Sequence, residues 1–232
     1  MSWTFGPHGP IESLDDGLWL VQAPLPHQAM SRTCTVARMS DGRLVIHSAI
    51  AMDEASMATL ESWGEPAFLI VPGGMHRMDA PAFKDRYPGL TVLCPAGARQ
   101  KVEQVVPVDG DYSDFPDDPA VSMVTAPGCQ QREGVMAVRT ARGVTLVFND
   151  LLFNLPHAPG FSGFLMRMLG SSGGPRVTPL GRMLIVKDKG ELSRWMVQLS
   201  ESPDLVRLVP GHGLLVNEQA PDVLAEVASG LR

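Results

Sequence analysis

Residues Phe68–Asp79 read FLIVPGGMHRMD, and this stretch carries the strongest indication of the fold. Its first four residues are apolar and predict a buried strand. Pro72 and the two glycines after it predict that the strand ends there in a tight loop. A short helix is expected soon afterwards, around Ala82–Arg86. Because loops at strand ends often carry function in α/β proteins, His76 and Asp79 are the first candidate site residues.

The residues before this stretch predict strands and one clear helix. Asp41-Gly42 lies between two apolar runs and predicts a β-hairpin, because glycine adopts positive φ at little cost. Asp53 is expected to cap a helix that runs to about Trp63, with Gly64 as its stop. The predicted strands are Leu18–Gln22, Cys34–Met39 and Leu44–His47.

The rest of the chain continues with groups of strands and helices. Segments 108–119 and 157–179 lack periodicity and are predicted to be irregular, the first as an acidic surface loop. Two similar halves of grouped strands and helices favour an α/β fold, a four-layer αββα sandwich with two mixed sheets inside. One domain over residues 1–232 is expected. The remaining predicted strands are 90–94, 121–125, 134–139, 144–148 and 206–209, and the predicted helices are 97–102, 191–201 and 221–231.

Composition excludes several classes of function. The net charge is −6 and lysines and arginines do not cluster, so nucleic-acid binding is not expected. Neither a GxGxxG sequence nor a Walker loop is present, so those two kinds of nucleotide site lack their residues. No apolar run reaches the ~18 residues that a membrane span needs. Three cysteines without a CxxC pair, and an N-terminus without a signal-peptide pattern, predict reduced thiols and a cytoplasmic location.

Four residues at predicted strand ends are candidate metal ligands. His76 and Asp79 are three residues apart, so both can face one site. Asp150 ends a buried strand, where a carboxylate is costly unless it is paired or bound to a metal. His212 lies between two glycines, which let the backbone pass close to a ligand. These residue types suit zinc, iron or manganese. Without a metal, a capping role explains Asp150 equally well, and a turn histidine and a chance His–Asp pair are the more common explanations of His212 and of His76 with Asp79.

Three further residues are candidates for a pocket beside these ligands. Cys129 follows a Pro-Gly turn, with Glu133 four residues later, and suits a metal ligand or a nucleophile. A buried free thiol is the alternative for Cys129. His47 ends a predicted strand, but no aspartate or cysteine lies near it in the sequence to complete a catalytic triad.

An apolar segment lies between Gly160 and Gly170 and has the composition of a flap. Such a flap would cover a pocket or dock onto a partner, including a second copy of the chain. Packing of its methionines onto the body of the protein is the alternative. The residues of the flap are Phe161, Phe164, Leu165, Met166 and Met168.

Taken in order, these pieces resemble the metallo-β-lactamase superfamily, and most closely a bacterial subfamily with a degenerate form of that fold. The resemblance spans residues 15–225 and rests on segments 45–48, 71–77, 126–128, 149–154 and 209–213. In the superfamily a first loop supplies three histidines and one aspartate, and a Pro-Gly-His sequence supplies another histidine. An aspartate at a strand end bridges two metals, and a final loop supplies the last histidine.

The resemblance implies roles for individual residues. Asp150 matches the bridging aspartate, His212 matches the last histidine, and Cys129 takes the position of the Pro-Gly-His histidine. In the first loop His76 matches the second histidine or, with the register shifted by one residue, no ligand. The resemblance therefore does not imply a complete dinuclear site. It implies no metal, or at most one ion of zinc, iron or manganese.

These residues leave three functions open. The sequence favours a protein that binds a small molecule or a protein partner in the remnant of the cleft without hydrolysing it. A second hypothesis is a hydrolase of an ester, amide or phosphoester that uses a single metal, and a third is an interaction module that docks through the flap. The hydrolase hypothesis requires that the side chains of His76, Asp150 and His212 converge within a few ångströms.

Overall fold

Six strands from the N-terminal half form the first β-sheet of the computed structural model, which describes residues 3–26 and 30–231 apart from the side chains of Phe161 and Ser162. They are β1 (Glu12–Asp15), β2 (Leu18–Pro24), β3 (Ser31–Arg38), β4 (Leu44–His47), β5 (Pro66–Ile70) and β6 (Thr91–Leu93). Their order in the sheet is their order in the chain. The pairs from β1 to β4 are antiparallel, and β4, β5 and β6 are parallel.

Strands from the second half form two more sheets. The larger has the order β12-β9-β8-β7, and β12 and β9 are parallel; its strands are β7 (Val121–Thr125), β8 (Gly134–Thr140), β9 (Gly143–Val147) and β12 (Leu205–Val209). The smaller has the order β11-β10-β13, and its strands are β10 (Phe153–Leu155), β11 (Gly174–Arg176) and β13 (His212–Gly213). Both large sheets are mixed, as the sequence predicts.

Seven α-helices are found in the described residues. They are α1 (Glu54–Trp63), α2 (Ala80–Arg86), α3 (Arg99–Val102), α4 (Gly160–Met168), α5 (Pro179–Leu184), α6 (Lys189–Ser200) and α7 (Ala220–Ser229). None of the helices in the described part of the chain has the length and apolar character that crossing a membrane requires.

Three apolar clusters separate four layers and confirm the αββα arrangement. Side chains alternate between the faces of a strand, so Val45 of β4 points to the second large sheet while Ile46 points to the helices. The cluster between the sheets contains Leu20, Val45, Ile70, Met136, Val147 and Val209. The two outer clusters place Met57, Leu60 and Phe83 on the first sheet, and Leu192, Met196 and Leu224 on the second.

Local sequence signals predicted the N-terminal elements well. The β3–β4 hairpin forms around Gly42, whose φ is +89°. The carboxylate of Asp53 accepts a hydrogen bond from the backbone N–H of Ser56 and caps α1. Gly64 ends that helix, but its backbone is extended. Glycine is needed there because a Cβ would collide with the carbonyl oxygen of Gly42.

Two segments predicted to be irregular are ordered. Segment 157–179 contains α4 and β11, so the predicted flap is largely a helix. Glycines and the absence of a side-chain cap hid that helix, because both weaken helix signals. Segment 108–119 was predicted as a surface loop, but it contains a short 3₁₀ turn that buries Tyr112 between the sheets. Prediction also missed β1, β10, β13 and α5, each of which has only two to six residues.

A buried ion pair joins the edge of the first sheet to the second. Nη1 of Arg207 in β12 lies 2.6 Å from Oδ2 of Asp15, whose side chain is 2% exposed. The same guanidinium nitrogen donates to the hydroxyl of Thr145, and Nε donates to Asn217. The arginine is therefore held at several points, and its charge is balanced mainly by Asp15.

We predict that Asp15→Ala lowers the free energy of unfolding by about 3–5 kcal/mol, because it leaves the Arg207 charge buried without its partner. Asp204→Ala is the control, since the Arg139–Asp204 pair has both side chains more than half exposed. Breaking an exposed pair of this kind costs about 0–1 kcal/mol. Urea denaturation of both variants measures the difference. Equal losses would show that the buried pair does not join the sheets as described.

Candidate metal centre

The candidate ligands lie where parallel strands end at one edge of the sandwich. β4 and β5 are parallel neighbours, and the loop after β5 carries His76. β9 and β12 are parallel neighbours in the other sheet; Asp150 follows β9 and His212 follows β12. His212 opens β13, where it pairs with Phe153 of β10. The carboxyl ends of such strands are where α/β folds usually bind ligands.

Three of the four predicted ligands converge at this edge. Nε2 of His76 lies 3.0 Å from Oδ1 of Asp150, and Nε2 of His212 lies 3.4 Å from the same oxygen. One candidate ligand atom from each residue lies within 4.8 Å of the other two. Two ligands of a tetrahedral zinc ion lie ~3.4 Å apart when each bond is about 2.1 Å. The distances from Asp150 to the two histidines are close to that spacing.

The hydrogen bond behind His212 fixes which ring nitrogen faces the site. Nδ1 of His212 lies 2.7 Å from the backbone carbonyl oxygen of Ser31. Because a carbonyl oxygen only accepts, Nδ1 carries a proton, and in the neutral ring Nε2 directs its lone pair at Asp150. Two acceptors then face each other across 3.4 Å. A proton or a cation between them is required for this arrangement to be stable.

Ser48 plays the corresponding part behind His76. Its hydroxyl oxygen lies 3.1 Å from Nδ1 of His76, so Nε2 is directed at Asp150. Ser48 follows β4 directly, is 5% exposed, and has φ of +57°, a value that costs a non-glycine residue free energy. Partners of this kind, behind the ring of a ligating histidine, orient the ring and set its tautomer.

Asp150 is the negative charge of the group. Burial opposes ionisation of this carboxyl, but the adjacent imidazoles of His76 and His212 outweigh burial and hold its pKa below the usual range. The carboxylate is therefore charged at neutral pH. A buried carboxylate beside two imidazoles is the donor set that zinc, iron and manganese accept.

Asn149 and Glu133 form a buried layer under Asp150. The Asn149 amide donates to Oε1 of Glu133 at 3.0 Å, and the backbone N–H of Asp150 donates to the same carboxyl group. Burial, and after it the charge of Asp150, raises the pKa of Glu133 well above its usual value. Gly73 passes so close that a Cβ would lie 2.7 Å from Oε1 of Glu133. The metal-side loop thus packs directly on this layer.

The other predicted pocket residues are buried and neutral. Burial, and then the charge of His76, lowers the pKa of His47 to about 3. Cys129 belongs to the apolar cluster between the second sheet and the helices α6 and α7. Burial, followed by the charges of Glu133 and Glu191, raises the pKa of its thiol to about 12. Neither residue is in the group of three converging side chains.

Asp79 is engaged elsewhere. Its Oδ2 lies 2.5 Å from Nη2 of Arg32 and accepts the backbone N–H of Ala51. The aspartate therefore ties the loop after β5 to β3 and to the segment before α1. The residue that sequence reasoning overlooked is Ser48, although β4 and β5 are parallel and their ends must meet at one edge.

The predicted flap lies on the surface. Phe164, Leu165 and Met168 of α4 are exposed, and Met166 is half-buried. The side chain of Phe161 lies outside the described residues. In the following helix α5, a Cβ added to Gly181 would lie 3.3 Å from the carbonyl oxygen of Asp150. Helix α5 therefore lies beside the backbone of Asp150.

No family model matches the sequence, and no curated protein matches it. The structure does resemble solved metallo-β-lactamases. DIM-1 exposed to ceftazidime matches with a TM-score of 0.63 and 11% identity, covering 96% of this chain and 97% of that chain. TMB-1 matches with a TM-score of 0.59 and 14% identity, covering 95% of this chain and 96% of that chain. FIM-1 from Pseudomonas aeruginosa in its mono-zinc form matches with a TM-score of 0.58 and 11% identity, covering 96% of each chain.

Each match covers nearly all of both chains, so it includes the two large sheets and their helices. At this level of sequence identity they establish the architecture and leave the chemistry to the site residues. The chain has the metallo-β-lactamase fold.

Proposed function

We propose that the protein is a hydrolase of an ester, amide or phosphoester, with one metal ion held by His76, Asp150 and His212. The observation that carries this proposal is the convergence of these three side chains. The sequence favoured binding without hydrolysis, because the first loop lacks most of the superfamily's ligands. A catalytic zinc site needs only three protein ligands and one open position for water. The convergence is what the hydrolase hypothesis requires.

A single ion is favoured over a pair. Within residues 3–26 and 30–231, one group of three side chains is placed to hold a metal. Asp79 is paired with Arg32, and the Cys129 thiol lies in an apolar cluster, so neither supports a second ion. The mono-zinc form of FIM-1, a structure with the same fold, supports a one-metal arrangement in this architecture.

Each residue has a defined part in the proposed reaction. When bound, the metal would supply a Lewis acid and lower the pKa of a coordinated water to about 7. Asp150 balances the charge of the cation, and the two imidazoles complete the donor set. Ser48 and the Ser31 carbonyl hold the rings so that Nε2 of each faces the site. Burial raises the pKa of Glu133 and lowers that of His47, whereas the pKa of Asp150 is lowered, so Asp150 is the acid of this group that ionises most readily.

We expect protein purified without a chelator or an affinity tag to contain close to one equivalent of zinc, iron or manganese. The double variant Asp150→Ala/His212→Ala should lose that metal, because it removes two of three ligands. Asp79→Asn is the matched control in the same loop and should keep the metal, since Asp79 is paired with Arg32. Plasma mass spectrometry measures the content. Metal far below one equivalent, after incubation with each ion, would leave binding without hydrolysis as the better hypothesis.

The reaction itself is tested with a panel of ester, amide and phosphoester substrates. The metal-loaded protein should hydrolyse at least one class, and removal of the metal should abolish that activity. A stoichiometric metal without turnover on any class would support a metal-containing binding protein. It would contradict the proposed hydrolase.

Ser48→Ala should lower metal affinity or turnover by about 10–100-fold, because it removes the hydrogen bond that orients His76. Ser48, His76 and Asp150 also form a hydrogen-bonded serine–histidine–carboxylate chain. If Ser48 were instead the nucleophile of a metal-independent enzyme, Ser48→Ala would abolish turnover and a chelator would leave the wild type active. Kinetics of both proteins, with and without chelator, separate these two roles.

A further inference from the structure

Helices α4 and α5 present apolar side chains to solvent. On α4 the exposed positions follow one face of the helix, at intervals of one, three and four residues, and the same holds for α5. Their relative exposures lie between 47% and 72%. The side chains are Phe164, Leu165, Met168, Leu169, Leu180, Met183 and Leu184, and we call this surface the apolar face.

The two helices meet at their ends. Gly170, just after α4, packs on the ring of Pro179, the first residue of α5, and Arg176 donates to the Gly170 carbonyl oxygen. At its other end, α5 is tied to the body where Arg132 donates to the carbonyl oxygen of Leu184. Both helices are therefore attached to neighbouring segments while their apolar side chains stay exposed.

The segment that carries the apolar face is positively charged, whereas the whole protein is negatively charged. Residues 151–186 contain three arginines, Arg167, Arg176 and Arg182, and no aspartate, glutamate or lysine, whereas the net charge of the chain is −6. Arg167 is exposed on α4 beside the apolar face. An exposed apolar helix face next to an exposed arginine, in a segment without acidic residues, has the composition of a segment that lies on an anionic lipid surface.

We infer that the apolar face docks onto an anionic lipid bilayer, with its leucine, methionine and phenylalanine side chains among the acyl chains and Arg167 at the headgroups. A second copy of the chain is the other apolar occupant to consider. A two-fold dimer through this face would bring together two copies of segment 151–186, each with three arginines and no acidic residue to balance them. Anionic headgroups supply the missing negative charge.

This docking would bring the metal centre to the membrane. Gly181 on the inner side of α5 packs against the backbone of Asp150, and Met75 and Leu214, both exposed, flank the ligands His76 and His212. The inference does not depend on catalysis, because attachment to the bilayer uses none of the three ligands.

Flotation with vesicles of phosphatidylcholine containing 30% phosphatidylglycerol tests the inference on the full-length protein. We expect the protein to float with these vesicles and to bind pure phosphatidylcholine at least tenfold more weakly. The variant Leu165→Ser/Met168→Ser/Met183→Ser/Leu184→Ser should bind at least tenfold more weakly, and Arg167→Gln about fivefold more weakly. The control is Val105→Ser/Val124→Ser, which changes exposed apolar residues outside the apolar face and should bind as the wild type.

Circular dichroism of each variant establishes that it is folded before binding is compared. No flotation of the wild type with either vesicle would overturn the inference, as would equal flotation of the wild type and the apolar-face variant. Sedimentation equilibrium tests the alternative, a dimer formed through the apolar face. A dimer that the same four substitutions dissociate, in protein that does not float, would assign the apolar face to a second copy instead.

Discussion

A buried carboxylate between two imidazoles is the interaction on which this end of the molecule depends. Asp150 is held ionised by His76 and His212, although burial alone would favour its protonated form. Burial raises the pKa of the neighbouring acid, Glu133, and lowers that of His47. Neither residue balances the negative charge of Asp150. A proton shared with the imidazoles or a bound cation balances that charge.

The surrounding hydrogen bonds are compatible with a bound cation. The Ser31 carbonyl oxygen holds the proton of His212 on Nδ1, so Nε2 is free to act as a ligand in the neutral ring. Ser48 is placed to do the same for His76. Two rings with Nε2 turned inward, each backed by an oxygen, are typical of histidines that bind metals. The strained backbone of Ser48 is consistent with a position maintained for function.

Most of the features that could be predicted from the sequence lie at or near the ends of strands. The hairpin at Gly42, the cap at Asp53 and the buried strand before Pro72 depend on local signals, and each formed where predicted. His76, Asp150 and His212 could be named as candidates because each follows a predicted strand. The mixed sheets and four layers followed from the grouping of elements. The structural likeness to metallo-β-lactamases then confirmed the resemblance on which the fold was argued.

Features that depend on distant partners were not accessible from the sequence. Asp79 follows the same predicted strand as His76 and was an equally plausible ligand from the local sequence. Its ion pair with Arg32, which lies 47 residues earlier, gives it a different role. The group that orients His212 is the backbone carbonyl of Ser31, and every residue has such a carbonyl, so the sequence does not identify it. Strands β10 and β13 have three and two residues and exist because they pair with each other. The sequence predicted an apolar flap at residues 161–168, whereas the part of the apolar face on α5 was found only in the structure.

The most direct test of the central claim is an anomalous difference map from a crystal of the protein soaked in zinc, measured on both sides of the zinc absorption edge. We predict one strong peak bonded to Nε2 of His76, Nε2 of His212 and a carboxylate oxygen of Asp150, with each bond about 2.0–2.2 Å long. A map without a peak at these three residues, or with its peak at Asp79 or Cys129 instead, would contradict the proposed metal centre.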